Sequence, residues 1–169
     1  MPNRELYNFY RKLLRNWLTD TAEGQEQQLL DALTSGDIPT FQARFRDVVL
    51  RTLSYHDVGE DKSEAFYHAF VLGMMVHLGE AYEVRSNRES GYGRYDVMVI
   101  PRDTSHKGII IEFKKADRYE AESLDEAVAS ALQQIETKQY ESELRAQGIT
   151  DIVKLGIAFK GKQVKVQEG

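Results

Sequence analysis

Residues 87–115 read NRESGYGRYDVMVIPRDTSHKGIIIEFKK, and the architecture of the chain is decided there. Tyr95 to Ile100 is a β-branched run. Pro101 to Gly108 is a polar turn, so the runs on either side of it are predicted to form a hairpin. In Gly108 to Lys114, Ile109, Ile110 and Ile111 follow one another, as in a central strand buried on both faces. Side chains alternate across a strand, so Glu112 and Lys114 share a face and Phe113 takes the other. Asp96 opens the first strand, and antiparallel pairing brings it within reach of Glu112. Two carboxylates and one ammonium then converge at one end of the sheet.

That grouping has a chemical use. Hard divalent cations such as Mg²⁺ or Mn²⁺ take oxygen ligands, commonly one or two carboxylates with water and phosphate. Asp96 and Glu112 are the candidate metal ligands, with the backbone carbonyl of Phe113 as a third oxygen. Such a cation would hold a scissile phosphate and lower the pKa of an attacking water. Lys114 would orient that water and offset charge in the transition state. The competing reading makes Glu112 and Lys114 an exposed ion pair on an edge strand. The isoleucine run opposes it, because unpaired charge is costly on a buried strand. Asp96 by itself could also be a turn cap.

Just before Asp96 stand Arg85, Asn87, Arg88, Ser90, Tyr92 and Arg94. Basic residues interleaved with an aromatic can hold a nucleic-acid backbone, or can simply make a polar loop. Lys138 and Tyr140 could reach a substrate or merely finish a helix. His56 and His68 show no helix-face pairing that suggests metal ligation, and His77 and His106 read as ordinary helix-end and turn residues. Lys160, Lys162 and Lys165 read as a solvated basic edge, though they could touch nucleic acid.

Outward from this stretch the period becomes helical. Leu6, Phe9, Leu13 and Trp17 recur at helical spacing, and Gln25 to Leu33 is a second helix. Pro39 suits the first turn of a third, whose face carries Phe41, Phe45, Val48, Val49 and Leu53. A fourth runs from about Lys62 to Leu78. Downstream, Ser123 and Glu126 form a capping box for a long helix with Leu124, Val128, Ala131 and Ile135 on one face and Gly148 as its stop. Ile152 to Phe159 and Gln163 to Val166 are the closing strands. The fold class is therefore α/β, a small mixed sheet flanked by helices. An N-terminal helical annex is expected over 1–58 and the core over 59–169, with the boundary near Val58 to Asp61.

The chain has 169 residues, 41% of them hydrophobic, enough for a core. It has no cysteine, which excludes disulfides and thiolate metal sites. Arg4, Glu5 and Asn8 interrupt any apolar run at the start, so no signal peptide is expected. With no membrane-spanning stretch expected either, a cytoplasmic location is the default. The net charge of −5 opposes a generic nucleic-acid coat protein, so any nucleic-acid surface must be a local basic patch. G-x-x-x-x-G-K-[ST] is absent, which excludes ATP hydrolysis by a P-loop.

The spacing D-x(15)-E-x-K from Asp96 to Lys114, on a hairpin between helices, resembles the PD-(D/E)XK nuclease superfamily. More closely, the chain resembles the nuclease-like domain that follows AAA-ATPase-like domains in bacterial proteins. SYHDVG, FYHAFVLGMMVHL, EVRSNRESGYGRYDVMVIP, GIIIEFKK, ALQQIETKQY and GIAFKGKQVKV carry the likeness in that order, over about Leu29 to Val166. The resemblance implies a restriction-endonuclease-like core of order αβββαβ. It implies a Mg²⁺- or Mn²⁺-dependent endonuclease that hydrolyses phosphodiesters, with DNA the expected substrate and a metal-bound water the nucleophile. Asp96 and Glu112 would be metal ligands and Lys114 the catalytic lysine. Glu64 would be an auxiliary acid near the metal, and Gln134 a further polar residue of the active site. Tyr95 stands where the superfamily's namesake proline would be. The partners implied are nucleic acid, an upstream ATPase-like domain in a longer chain, and a second copy in a homodimer. The alternative is a catalytically silent domain of the same fold that binds nucleic acid or a protein.

Overall fold

A computed structural model of the chain describes residues 24–55, 64–116 and 123–169. The helix read around Leu6 to Trp17, His56 and the boundary near Val58 to Asp61 lie outside the described residues, as does the side chain of Glu64. In chain order the helices α1 (Gln25–Ser35), α2 (Ile38–Tyr55) and α3 (Glu64–Met75) precede a 3₁₀ segment, Val76–Ala81. The strands β1 (Tyr82–Ser86), β2 (Glu89–Ser90), β3 (Gly93–Arg94), β4 (Val97–Pro101) and β5 (Gly108–Lys115) follow. The chain then forms α4 (Leu124–Lys138), a short α5 (Ser142–Ala146), β6 (Ile152–Lys160) and β7 (Gln163–Glu168).

Five strands make a mixed sheet in the order β1-β4-β5-β6-β7, while β2 and β3 pair separately as a small hairpin. The pair β5–β6 is parallel and the other pairs are antiparallel. The parallel step needs a crossover, which α4 supplies. Helices flank this mixed sheet, an arrangement that fits a PD-(D/E)XK nuclease-like fold.

The alternation expected on β5 sorts its side chains between two cores. Ile109, Ile111 and Phe113 point into the larger core, shared with α1, α2 and α3. Phe45 of α2 makes an edge contact with Phe159 and tilts against Phe70 there. The first helices thus bury their apolar faces in the same core as the sheet. On the opposite face Met98, Ile100 and Ile110 pack with Ile135, Tyr140 and Leu144.

Three elements differ from expectation. The fourth predicted helix stops as α-helix at Met75, and Gly79, at φ 68 and ψ −157, takes the chain toward β1. The stretch before Asp96, which could have been a plain polar loop, instead forms the β2–β3 hairpin. The long helix does not run to Gly148. It ends at Lys138, with Gln139 in the left-handed region at φ 52, and Gly148 follows the separate α5. The capping box at its start does form: Ser123 Oγ accepts from Glu126 N at 3.1 Å and Ser123 N donates to Glu126 at 2.7 Å.

Candidate active site

The site lies where β4 begins and β5 continues past it. Their ladder runs Val99↔Ile109, Met98↔Ile110 and Val97↔Ile111; one step further places Asp96 opposite Glu112. The Asp96 carbonyl faces β1, where it accepts from Asn87 N at 3.1 Å. Asp96 and Glu112 therefore form a position without mutual main-chain bonds, the kind in which facing side chains come closest. Beyond Ile111, β5 has no strand partner on this side. The N–H of Phe113 there donates to Asp96 Oδ2 at 2.8 Å. A residue's N–H and C=O leave a strand on the same side, so the Phe113 carbonyl also faces this gap.

Glu112 is 2% exposed, on the face covered by α4. Gln134 reaches down from α4 and joins the site together. Its amide oxygen accepts from Lys114 Nζ at 2.8 Å, and its amide nitrogen donates to Glu112 Oε1 in a short hydrogen bond and to the Tyr140 hydroxyl at 3.1 Å. Lys114 Nζ stands 4.0 Å from Glu112 Oε1. The Tyr140 hydroxyl in turn donates to the Arg94 carbonyl at 2.7 Å. Burial raises the Tyr140 pKa, opposed by the Gln134 bond and reinforced by the charges of Glu112 and Asp96. Both carboxylates therefore act on one buried phenol, which stays a neutral donor.

Helix α4 can approach Glu112 because its neighbour on β6 is Gly156. A Cβ there would lie 2.9 Å from the Val128 carbonyl oxygen and 3.1 Å from Leu132 Cγ. The sequence signal for Gly156 is that of an isolated glycine inside a strand pattern, which marks close backbone approach.

The remaining expected residues divide into two groups. Asn87, Arg88, Tyr92, Arg94 and Lys138 are exposed around the hairpin. Arg85, Ser90 and Tyr140 are instead engaged within the fold. Arg85 binds Glu83 at 2.6 Å and Glu143 by a short contact, and these carboxylates, Glu83 first, hold its guanidinium charged. Ser90 is buried, with Oγ bonded to the Tyr140 carbonyl at 2.8 Å. Tyr140 is 1% exposed, packed edge-on to Tyr95. Nearby Tyr95 is itself fully buried, and that burial pushes its pKa up to about 12.

Asp96, Glu112 and the Phe113 carbonyl are an all-oxygen set of the kind a hard divalent cation requires, so the residues present fit such an ion. Among the described residues no three acid or histidine side chains cluster as ligands, and the candidate donors among them are two carboxylates and a main-chain oxygen. Among these residues, too, no helix is long and apolar enough to cross a membrane.

A mixed sheet flanked by helices, with Asp96, Glu112 and Lys114 near one strand end, fits a nuclease-like domain. The profile of the PD-(D/E)XK nuclease superfamily matches residues 62–169, and the chain belongs to that superfamily. No curated protein and no solved structure matches the chain. Proteins of this superfamily are generally hydrolytic nucleases and typically use divalent metals such as Mg²⁺, so membership suggests a nuclease-like function.

Proposed function

We propose that the chain is a Mg²⁺- or Mn²⁺-dependent nuclease that hydrolyses phosphodiesters, with DNA as substrate. The observation that carries this reading is the linkage of Glu112, Gln134 and Lys114 beside Asp96. Asp96 and Glu112, with the Phe113 carbonyl, would hold the cation. When bound, it supplies Lewis-acid polarisation of the phosphate and lowers the pKa of water. Asp96 is oriented for this by the Phe113 N–H, and Glu112 by the Gln134 amide. Lys114, steadied by the Gln134 oxygen, presents its ammonium to the attacking water and to the charge that grows on the phosphate oxygens. The six ordered sequence segments support placement in the branch that follows AAA-ATPase-like domains, with a cytoplasmic setting.

The test is incubation of the purified chain with plasmid and single-stranded DNA in Mn²⁺ and in Mg²⁺. Cleavage is expected, and Lys114→Ala should reduce it by about 10²–10³-fold, the usual effect of removing one transition-state donor. If wild type cuts nothing in either metal while retaining DNA binding, the domain is a silent binder and the proposal fails.

A further inference from the structure

The β2–β3 hairpin carries an exposed aromatic that the fold does not use. Tyr92 at its turn is 75% exposed. Among the described residues the only other exposed large apolar side chain is Leu50, on α2. The turn under Tyr92 is held firmly. Its N–H donates to the Lys138 carbonyl at 2.7 Å. Gly91 has φ +59, and a Cβ on it would fall 2.1 Å from that same carbonyl oxygen, so only glycine lets the turn sit there. Ser90 anchors the hairpin through Tyr140, and the Arg94 carbonyl accepts from the Tyr140 hydroxyl that also bonds Gln134. The ring thus stands on a braced support joined to the candidate catalytic network. Lys138, whose stem lies against Gly93, is one helical turn beyond Gln134, about 6 Å along α4.

The surroundings favour an anionic ligand. Arg88 and Arg94 flank the hairpin's strands and the Lys138 stem lies against Gly93, all three exposed, and Glu89, 4.0 Å from Arg94, is the hairpin's only carboxylate. A phosphate backbone can follow these cations while a base lies on the ring. Bases inside a duplex already cover one another's faces, so only an unpaired or terminal base can stack on such a platform.

We propose that Tyr92 is a stacking platform for an unpaired base and that the site therefore takes single-stranded nucleic acid. The proposal rests on the nucleic-acid reading given under Proposed function and names the form of its substrate. The experiment is fluorescence anisotropy with a labelled single strand and a duplex of equal length, in Ca²⁺ without Mg²⁺ or Mn²⁺. Tyr92→Ala should weaken single-strand binding about 10-fold, within the range for loss of one base–aromatic stack, and leave duplex binding unchanged. Tyr92→Trp should restore it. An unchanged melting temperature would exclude misfolding. The proposal is overturned if Tyr92→Ala binds the single strand like wild type, as it would if this face served a protein partner, or weakens both forms equally. It is overturned as well if Trp fails to restore binding, or if wild type binds neither form. Cleavage is scored separately. A wild type that binds through Tyr92 but never cuts defeats the nuclease reading alone, and a Lys114-dependent nuclease indifferent to Tyr92 defeats the platform alone.

Discussion

Gln134 joins residues that lie far apart in sequence. One planar amide receives Lys114 on its oxygen and serves Glu112 and Tyr140 from its nitrogen. The arrangement keeps the lysine 4.0 Å from the acid, so the ammonium does not close onto the carboxylate that would face a cation. In Gln134→Ala the Lys114 side chain is expected to swing onto Glu112 and compete with the metal. The outcome should be a 10–100-fold loss of metal affinity or activity, as for other groups that orient ligands. Titration with Mn²⁺ checks this, with competition from Lys114 as the diagnostic: Lys114→Ala added to Gln134→Ala should recover metal binding without activity. If the double variant binds metal no better than the single one, the spacer role is wrong. Lys114 and Gln134 could each be singled out from sequence. Their bond could not, since it depends on how deeply α4 settles on the sheet.

At the scale of elements, that depth is set by Gly156. The close approach of its strand to the Val128 carbonyl leaves no room for a methyl group. Gly156→Ala should push α4 outward and cost about 1–3 kcal/mol, the usual penalty for overpacking. Chemical denaturation would measure the loss, and activity should fall with it because Gln134 moves away from Glu112. A fully active and fully stable Gly156→Ala would show that the helix position does not matter. The strand pattern around Glu112 was legible because period-two alternation leaves Phe113 in one core and Glu112 opposite it, whatever the rest of the chain does. The end of α4 was not legible. Gly148 looked like the stop, yet Gln139 adopts the left-handed conformation nine residues earlier, at a local cost of roughly 1–2 kcal/mol. Burial of Tyr140, with its bonds to Arg94 and Gln134, offsets that cost. Nothing local announces such tertiary compensation. The turn is fastened further by Lys154, which pairs with Glu136 at 2.5 Å and with Glu141.

Across the whole molecule, the two sheet faces are divided between stability and chemistry. The face toward α1, α2 and α3 is an apolar core, packed through Phe45, Phe70, Phe113 and Phe159. The face toward α4 carries a nearly buried carboxylate, Glu112. A buried charge is costly to desolvate, and removing one kept for function often raises stability. Glu112→Gln keeps the shape and a hydrogen-bonding oxygen for Gln134, and should melt above wild type when no divalent metal is present. Saturating Mn²⁺ should reverse the order. At about 100 times its dissociation constant a ligand adds about 2.7 kcal/mol to the state that binds it, which is roughly 5–11 °C for a chain of this size. Wild type should gain that rise and Glu112→Gln little of it. Thermal melts of both proteins, with and without Mn²⁺, contain the full test. If wild type is the more stable without metal, Glu112 serves the fold. If neither protein responds to Mn²⁺, the two carboxylates do not hold a cation, and the chemistry proposed for this face has no support.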